Sequence, residues 1–504
     1  MDLLSYIKWI LPLYATSYLI VSLAKYKSYV KKLPPGPSPL PIIGNLLNLL
    51  PHITKPHKYF DELAETHGPI MSLQLGSTTA IVVSNAMLAK QVLLNSHDTL
   101  YDLDAFRASD HDKFSIGPLS ASSPMWRILR KIYNNRLLSE KMLESMKSHR
   151  YRKLEDLLCY MKECSQTNIV VDVGQTIYDA SFDIISSTIF SMDSSSDSRI
   201  KEIKDLMECI INEIGRPNIV ECYPILKLID PQRIRHRLTS YCVRLFKLFD
   251  EVLALRLKSK NDQMHISNSY HDDLLDVMLD VMEEQRDEIN QDHLYHLLLD
   301  LLGSGMDTTS KTVEWAMTEL LRNPMALSKL QEELDGLMLK CNMEYILESH
   351  IFELPYLQAI VKETLRLHPA APLLLPRKAE KDVEFDGFQI PKDTMLIVNA
   401  WTINRDPHTW SNPNSFIPER FLGSEIEVKS QFSQLFTFGG GKKICPGMPL
   451  AIRMISLVLG NLIHSFNWKF EDFEELQRVL DMDDLCGITI KKTKSLRAIL
   501  INRS

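Results

Sequence analysis

The stretch Phe438–Gly447, reading FGGGKKICPG, constrains the fold more than any other in the chain. Gly439, Gly440 and Gly441 lack the Cβ that blocks close approach, and they permit positive φ. They precede a single cysteine, Cys445, which Pro446 and Gly447 follow. Pro446 suits the first position of a helix, and the apolar run Leu450–Ile463 supplies that helix. Cys445 then stands beside a helix N-terminus, where partial positive charge and the nearby Lys442 and Lys443 favour thiolate over thiol. A thiolate on a glycine-lined loop suits a metal ligand, and one cysteine alone suits haem better than zinc. A glycine-rich turn around an inert cysteine accounts for the loop by itself equally well.

Length allows a large core around that loop. The 504 residues show no Gly/Ser linker, repeat or low-complexity segment, and 45% hydrophobic with 24% charged residues is ordinary for a globular protein. The net charge of −7 argues against general nucleic-acid binding. Eight cysteines without a C-x-x-C predict a reducing compartment and mostly buried thiols.

The N-terminus has its own character. Leu3–Ala24 is largely apolar, interrupted by Lys8 and Pro12, and Lys25, Lys27, Lys31 and Lys32 follow. We read residues 1–32 as a single-pass transmembrane anchor with a basic stop, leaving the rest of the chain cytosolic. A helix lying on the membrane is the alternative. Leu33–Pro41, LPPGPSPLP, is dense enough in proline to form a stiff hinge, and residues 42–504 form the body.

Within that body the pattern is mostly α with a minor β part. Ile70–Val83 reads as a hairpin around a Gly-Ser turn, and Val383–Gln389 and Met395–Val398 as a second cluster of short strands. Helical periodicity covers Leu137–Cys164, Ser196–Glu213, Tyr241–Lys258, Asp273–Arg286 and Ile289–Leu321. The last of these carries Gly303, Ser304, Gly305, Asp307, Thr308 and Thr309 at its centre, poor material for an apolar helix. The sequence predicts a local disruption that opens a polar groove, where Asp307 and Thr308 relay protons. Glycines for close helix packing, with Asp307 paired internally, are the plainer reading.

Three further patterns admit both structural and functional readings. Glu363 and Arg366 lie three apart on one helix face, and Arg420 falls in an irregular Pro/Asn-rich stretch that one carboxylate could pin by binding both guanidiniums. Trp126 and Arg130 stand at i and i+4, suited to an anionic carboxylate through a ring N–H and a guanidinium fork. Arg377 closes the apolar run Pro372–Pro376 and could do the same.

In order and spacing these elements resemble the cytochrome P-450 family of haem-thiolate monooxygenases, over essentially the whole chain. FGGGKKICPG resembles the haem-loop pattern F-x-x-G-x-R-x-C-x-G, Ser304–Thr309 the oxygen-activation pattern, and Glu363/Arg366 the E-x-x-R pair that Arg420 completes. The resemblance implies a triangular helical body around haem, with small β-sheets, behind an N-terminal membrane anchor. It implies haem b held by Cys445 as the thiolate metal ligand, with Phe438 and Gly447 framing the loop. Trp126, Arg130, Arg377 and Lys443 serve the propionates, and Asp307 and Thr308 the proton supply. O2 and NADPH-derived electrons, delivered by a separate NADPH–cytochrome P-450 reductase, complete the chemistry. An endoplasmic-reticulum location, contact with membrane lipid and a monomeric state are further expectations.

Two positions depart from the pattern: Lys443 replaces an arginine, losing the fork, and Ser304 adds a hydroxyl where alanine or glycine is usual. LPPGPSPLPIIGN, LPYLQAIVKETLRLHP, PLLLPRKAE and MDDLCGITIKK resemble the plant group that includes geraniol hydroxylase and ferruginol synthase. That implies oxidation of a small apolar terpenoid, with a phenolic or amine substrate as the alternative. A haem-thiolate isomerase or dehydratase needing no reductase and a non-catalytic haem sensor are the other readings. Candidate pocket walls are Phe114, Ile116, Leu297, Leu301, Leu373, Leu374, Leu485 and Ile488. Arg127, Arg130, Lys131, Lys442 and Lys443 are candidates for a basic face toward the reductase.

Overall fold

Short polar residues start the helices where the apolar periodicity begins. Asp172, Asp197, Asp273 and Asn290 each accept a backbone N–H from the first turn of the helix that follows. Several helices end on a residue in the left-handed region, among them Asn168, Ser191 and Asn342. The structure is a computed structural model that describes residues 33–503, apart from 96–99, 102, 263–272, 425, 427–434, 471–473 and 475–480. The anchor read over residues 1–32 lies outside the described residues.

The principal helices are α1 (Pro56–His67), α2 (Ala86–Asn95), α3 (Pro124–Ile132), α4 (Lys147–Thr167), α5 (Val173–Phe190), α6 (Ser198–Ile214), α7 (Ile234–Asp262), α8 (Leu274–Glu284), α9 (Gln291–Arg322), α10 (Pro324–Cys341), α11 (Pro355–Leu367) and α12 (Met448–Ser465). The fold is mostly helical with small sheets. The helix expected over Leu137–Cys164 is divided: Ser139 caps a short helix Glu140–Ser145, and α4 restarts at Lys147. Apolar periodicity runs through Met146 because its side chain is buried, although the backbone breaks there.

Ile70–Leu75 (β1) and Thr78–Val83 (β2) form the expected hairpin, with Ile70 opposite Val83. Arg377–Lys378 (β4) and Met395–Val398 (β7) join the same sheet, in the order β1-β2-β7-β4. β7 runs parallel to β2, so it does not cluster with Val383–Phe385 (β5) and Phe388–Ile390 (β6), which form a separate hairpin. Near the C-terminus, Arg497–Asn502 (β11) lies between Val170–Asp172 (β3) and Phe466–Lys469 (β8). Asp484–Cys486 (β9) pairs with Ile490–Lys492 (β10). The proline-rich stretch lies along β1: Ser72 donates its hydroxyl to Pro34 O at 2.7 Å and its N–H to Pro35 O at 2.9 Å.

The core is built on α9 and α12. Residues 448–465 form the one described helix long and apolar enough to cross a membrane, yet most of it is buried inside the protein. Leu302, Met306, Val313, Trp315 and Met317 of α9 are all fully or nearly fully buried. The eight cysteines are free, and only Cys164 and Cys242 are buried. The expectation of mostly buried thiols is therefore corrected: the helices carrying Cys159 and Cys209 turn those side chains outward.

Candidate active site

The glycine loop owes its shape to two left-handed residues. Gly439 and Gly441 have φ of +73° and +68°, and a Cβ at Gly441 would lie 2.0 Å from the Leu93 carbonyl oxygen at the end of α2. The backbone N–H of Cys445 donates to Phe438 O at 3.0 Å, closing the loop. Helix α12 begins at Met448 with Gly447 as its cap, so Pro449 and not Pro446 occupies the first turn. Cys445 is partly exposed. Burial among protein atoms pushes its thiol pKa up, against the Gly447 N–H, the Arg130 guanidinium and the Met448 N–H, which favour thiolate.

The lysines do not supply that help. Lys443 extends away and donates from Nζ to the carbonyls of Gly117 (2.7 Å), Ile116 (3.2 Å) and Leu119, with Nζ 5.5 Å over the Trp126 ring. Lys442 is exposed. Arg130 is the cation beside the thiol, because α3 faces the loop: its Nη1 donates to Ile444 O at 2.7 Å. Trp126 Nε1 donates to the same Ile116 carbonyl that Lys443 uses, at 3.2 Å. Arg377 is buried on β4, opposite Leu396.

Across the molecule, α9 runs unbroken through Gly303–Thr309, so the expected disruption is absent. The hydroxyls bond back along the helix: Ser304 Oγ donates to Asp300 O at 2.5 Å and Thr308 Oγ1 to Ser304 O at 2.6 Å. The glycines admit neighbours, since a Cβ at Gly305 would lie 2.5 Å from Ile185 Cδ1 of α5, and one at Gly303 would lie 3.0 Å from Met207 Cε of α6. Asp307 is buried and accepts the Thr489 hydroxyl, whereas Thr308 is only half-buried. Adjacent helical residues point about 100° apart, so the acid and the hydroxyl face different neighbours.

On α11, Glu363 accepts two N–H groups from Arg366, at 2.7 and 2.8 Å, and one from Arg420 at 3.1 Å. Glu363 and Arg366 are fully buried. Arg366 also donates to the carbonyls of Asn404, Pro413 and Ser415, which pins the irregular stretch ahead of the glycine loop. Trp410 covers both guanidiniums, 5.3 Å from Arg366 and 5.9 Å from Arg420.

The pocket candidates divide by location. Leu297 and Leu301 are buried on α9, and Phe114 stacks on His296 with ring centroids 5.4 Å apart. Ile116 adjoins Trp126 and Lys443 through its carbonyl. Leu373 packs on the face of the sheet that carries Met71, Ala80 and Met395, and Leu374 on the opposite face with Ile70, Ile81 and Leu396. Leu485 lies on β9 facing Lys491, and the Ile488 N–H approaches Gly215 at the end of α6. Two elements went unread in the sequence: Thr489, and the group His111, Ser115, His296 and Asp300. Asp300 stands one turn before Ser304, a spacing that could have flagged it.

The residues fit a haem. The backbone amides of Gly447 and Met448 and the Arg130 guanidinium all favour the thiolate form of Cys445, the form in which a cysteine binds haem iron. Arg130 forms no ion pair among the described residues, and burial pulls its pKa down, so an anion beside it would be stabilised.

Residues 34–496 match the cytochrome P450 family, and the chain belongs to it. It is 42% identical to cytochrome P450 76AD1 of Beta vulgaris over 98% of both chains. It is also 42% identical to geraniol 8-hydroxylase of Catharanthus roseus, over 95% of this chain and 97% of that one. Ferruginol synthase of Isodon rubescens is 38% identical over 93% and 94% of the two chains. The protein is a cytochrome P450 monooxygenase, with haem iron, O2 and reductase-supplied electrons as its working parts. Its family generally takes small apolar substrates.

Proposed function

We propose that this monooxygenase oxidises a small terpenoid, a mono-, sesqui- or diterpenoid, with Cys445 as the residue whose thiolate would hold the iron of haem b. The observation that carries the substrate class is the near full-length similarity to enzymes named for geraniol and ferruginol. When bound, the haem supplies O2 activation, and the thiolate's electron donation favours O–O cleavage. The chain's own residues do the rest. Arg130, with the Gly447 and Met448 amides, holds the Cys445 sulfur as thiolate. Trp126, Lys443 and Arg377 serve the carboxylates of the group, and Phe438 and Gly447 frame its loop. Thr308 turns its hydroxyl oxygen toward the open face of α9. Asp307, tethered to Thr489, takes up protons from water and passes them on. Leu297 and Leu301 exclude water beside the substrate.

The electron donor is a separate NADPH–cytochrome P-450 reductase, and the protein is a monomer. Arg127, Lys131 and Lys442 are exposed and form the docking face. Arg130 and Lys443 point inward and are removed from it. The protein works at the endoplasmic-reticulum membrane with its body in the cytosol. Support comes from Ile42, Leu47, Leu50, Ile225, Leu228 and Ile229, all exposed. Tyr223 donates its hydroxyl to Ile42 O at 3.1 Å, joining the two halves of that apolar surface.

Three measurements test the reading. The reduced, CO-bound difference spectrum should show a thiolate-type Soret band that Cys445→Ala lacks. A spectral-shift screen of mono-, sesqui- and diterpenes beside phenolic amines should give terpenoid hits, and hits confined to the amines overturn the substrate class. Thr308→Ala should uncouple NADPH consumption from product.

A further inference from the structure

The hydroxyl at position 304 stands where the resemblance leads one to expect none, and its surroundings give it a direction. Asp300, Ser304 and Thr308 stand at i, i+4 and i+8, so they form one stripe along α9. Ser304 is exposed in the middle of this otherwise buried helix, and Asp300 and Thr308 on either side are partly open. Buried Leu301 flanks the stripe.

Every side-chain proton on the stripe is already committed. Ser304 gives its proton to the Asp300 carbonyl at 2.5 Å, and Thr308 gives its own to the Ser304 carbonyl at 2.6 Å. Asp300 is a carboxylate that accepts the Ser115 hydroxyl, 2.9 and 2.8 Å from its two oxygens. Its nearest basic group is His111, with Nε2 3.4 Å from Oδ1. His111 Nδ1 lies 2.8 Å from His296 Nδ1, so those two nitrogens share a single proton. Tyr133 adds a buried hydroxyl beside Asp300. Among the described residues no lysine or arginine pairs with Asp300. What the stripe offers to the open side is lone pairs and one carboxylate, with no free donor.

We propose that Ser304 and Asp300 determine specificity by accepting a hydrogen bond from the substrate, which therefore carries a hydroxyl or a protonated amine on an apolar frame. The inference rests on the reading that substrate lies against the open face of α9, and it narrows the substrate from a hydrocarbon to a donor-bearing molecule. A hydrocarbon laid on this stripe would cover the Ser304 and Thr308 oxygens, which accept nothing among the described residues, and the Asp300 lone pairs that Ser115 leaves over, which disfavours it. A donor placed between Ser304 and Asp300 would be fixed at one end, leaving a set distance along the frame to the reacting carbon.

The test is equilibrium binding to the full-length, haem-loaded protein, read by spectral shift and by calorimetry. The ligands are matched pairs: mono-, sesqui- and diterpene alcohols (geraniol among them) against their methyl ethers, and phenethylamine against ethylbenzene. The wild type should bind the donor-bearing member about tenfold or more tightly than its partner. Ser304→Ala should reduce that ratio to within about threefold while leaving the affinity for the ether unchanged. Asp300→Asn should weaken the amine most. Since Asp300→Asn also loosens its link to Ser115, Ser115→Ala is measured beside it, and it should preserve the donor preference. Equal affinity within every pair, a ratio untouched in Ser304→Ala, or binding of no donor-bearing member would each overturn the proposal. Preference confined to the amine pair would sustain it while refuting the terpenoid reading. Terpene alcohols and ethers that bind equally, with phenethylamine no tighter than ethylbenzene, would do the reverse.

Discussion

Replacing Glu363 by glutamine would leave two guanidiniums facing a neutral amide where no water reaches. The carboxylate accepts two N–H groups from Arg366, one from Arg420 and the backbone N–H of Ile417. A glutamine can place only one oxygen there, and its NH2 group would confront an arginine N–H. Removing one partner of a buried ion pair costs about 3–5 kcal/mol. A Coulomb estimate for charges about 4 Å apart at an effective dielectric of about 20 gives about 4 kcal/mol, in agreement. The folded-to-unfolded ratio should therefore fall by about two to four decades. The assay is urea unfolding followed by tryptophan fluorescence, to which Trp410 contributes from beside Arg366, with haem content measured in parallel. Arg420→Lys is the comparison. It keeps the charge but loses the fork to the carbonyls of Ser411 and Asn412, at a cost of about 1 kcal/mol. The reasoning fails if Glu363→Gln loses no more stability than Arg420→Lys.

Other expectations are simpler. Gly441→Ala should lower stability by about 1–3 kcal/mol and reduce haem content, because the residue sits at positive φ against the Leu93 carbonyl; unchanged haem content refutes this. Lys442→Glu should slow reductase-supported turnover and spare peroxide-supported turnover, and equal loss of both speaks against docking at this face. Asp193→Asn should destabilise the protein at pH 7. Burial raises the Asp193 pKa, but Lys153, 2.6 Å away, and the Ser195 hydroxyl outweigh it and hold the pKa well below the usual carboxylate range. A folded pKa depressed in this way contributes stability above the unfolded value, near 3.9, and loses it as pH falls. The difference between wild type and Asp193→Asn should accordingly shrink between pH 7 and pH 3, measured as a difference in urea midpoints.

Local chemistry was legible from the residues: the Ile70–Val83 hairpin, the long helix from residue 291 to 322 and the glycine loop each follow from their own composition. What escaped depends on partners far along the chain. Met395–Val398 carries no mark of its pairing with Thr78–Val83, because a central parallel strand reads only as an apolar run. The lysines of the loop promised charge beside Cys445, yet side-chain length and three carbonyls drew Lys443 elsewhere. Gly303 and Gly305 suggested a broken helix. Their purpose became visible only once Met207 and Ile185 were in place against them. Thr489 was invisible for the same reason, since its partner Asp307 lies 182 residues away.

That last pairing has a consequence for the order in which the protein comes into being. Thr489 reaches Asp307, the N–H of Leu496 donates to Glu314 at 3.1 Å, and β11 fills the middle of its sheet. All three closures are made by residues 489–502, and two of them land on α9, on partners 182 residues earlier in the chain. Domains fold from the N-terminus as they emerge, so α9 exists long before its acid receives its hydroxyl. A nascent chain therefore carries an unfinished site until residues 489–502 have emerged to complete it.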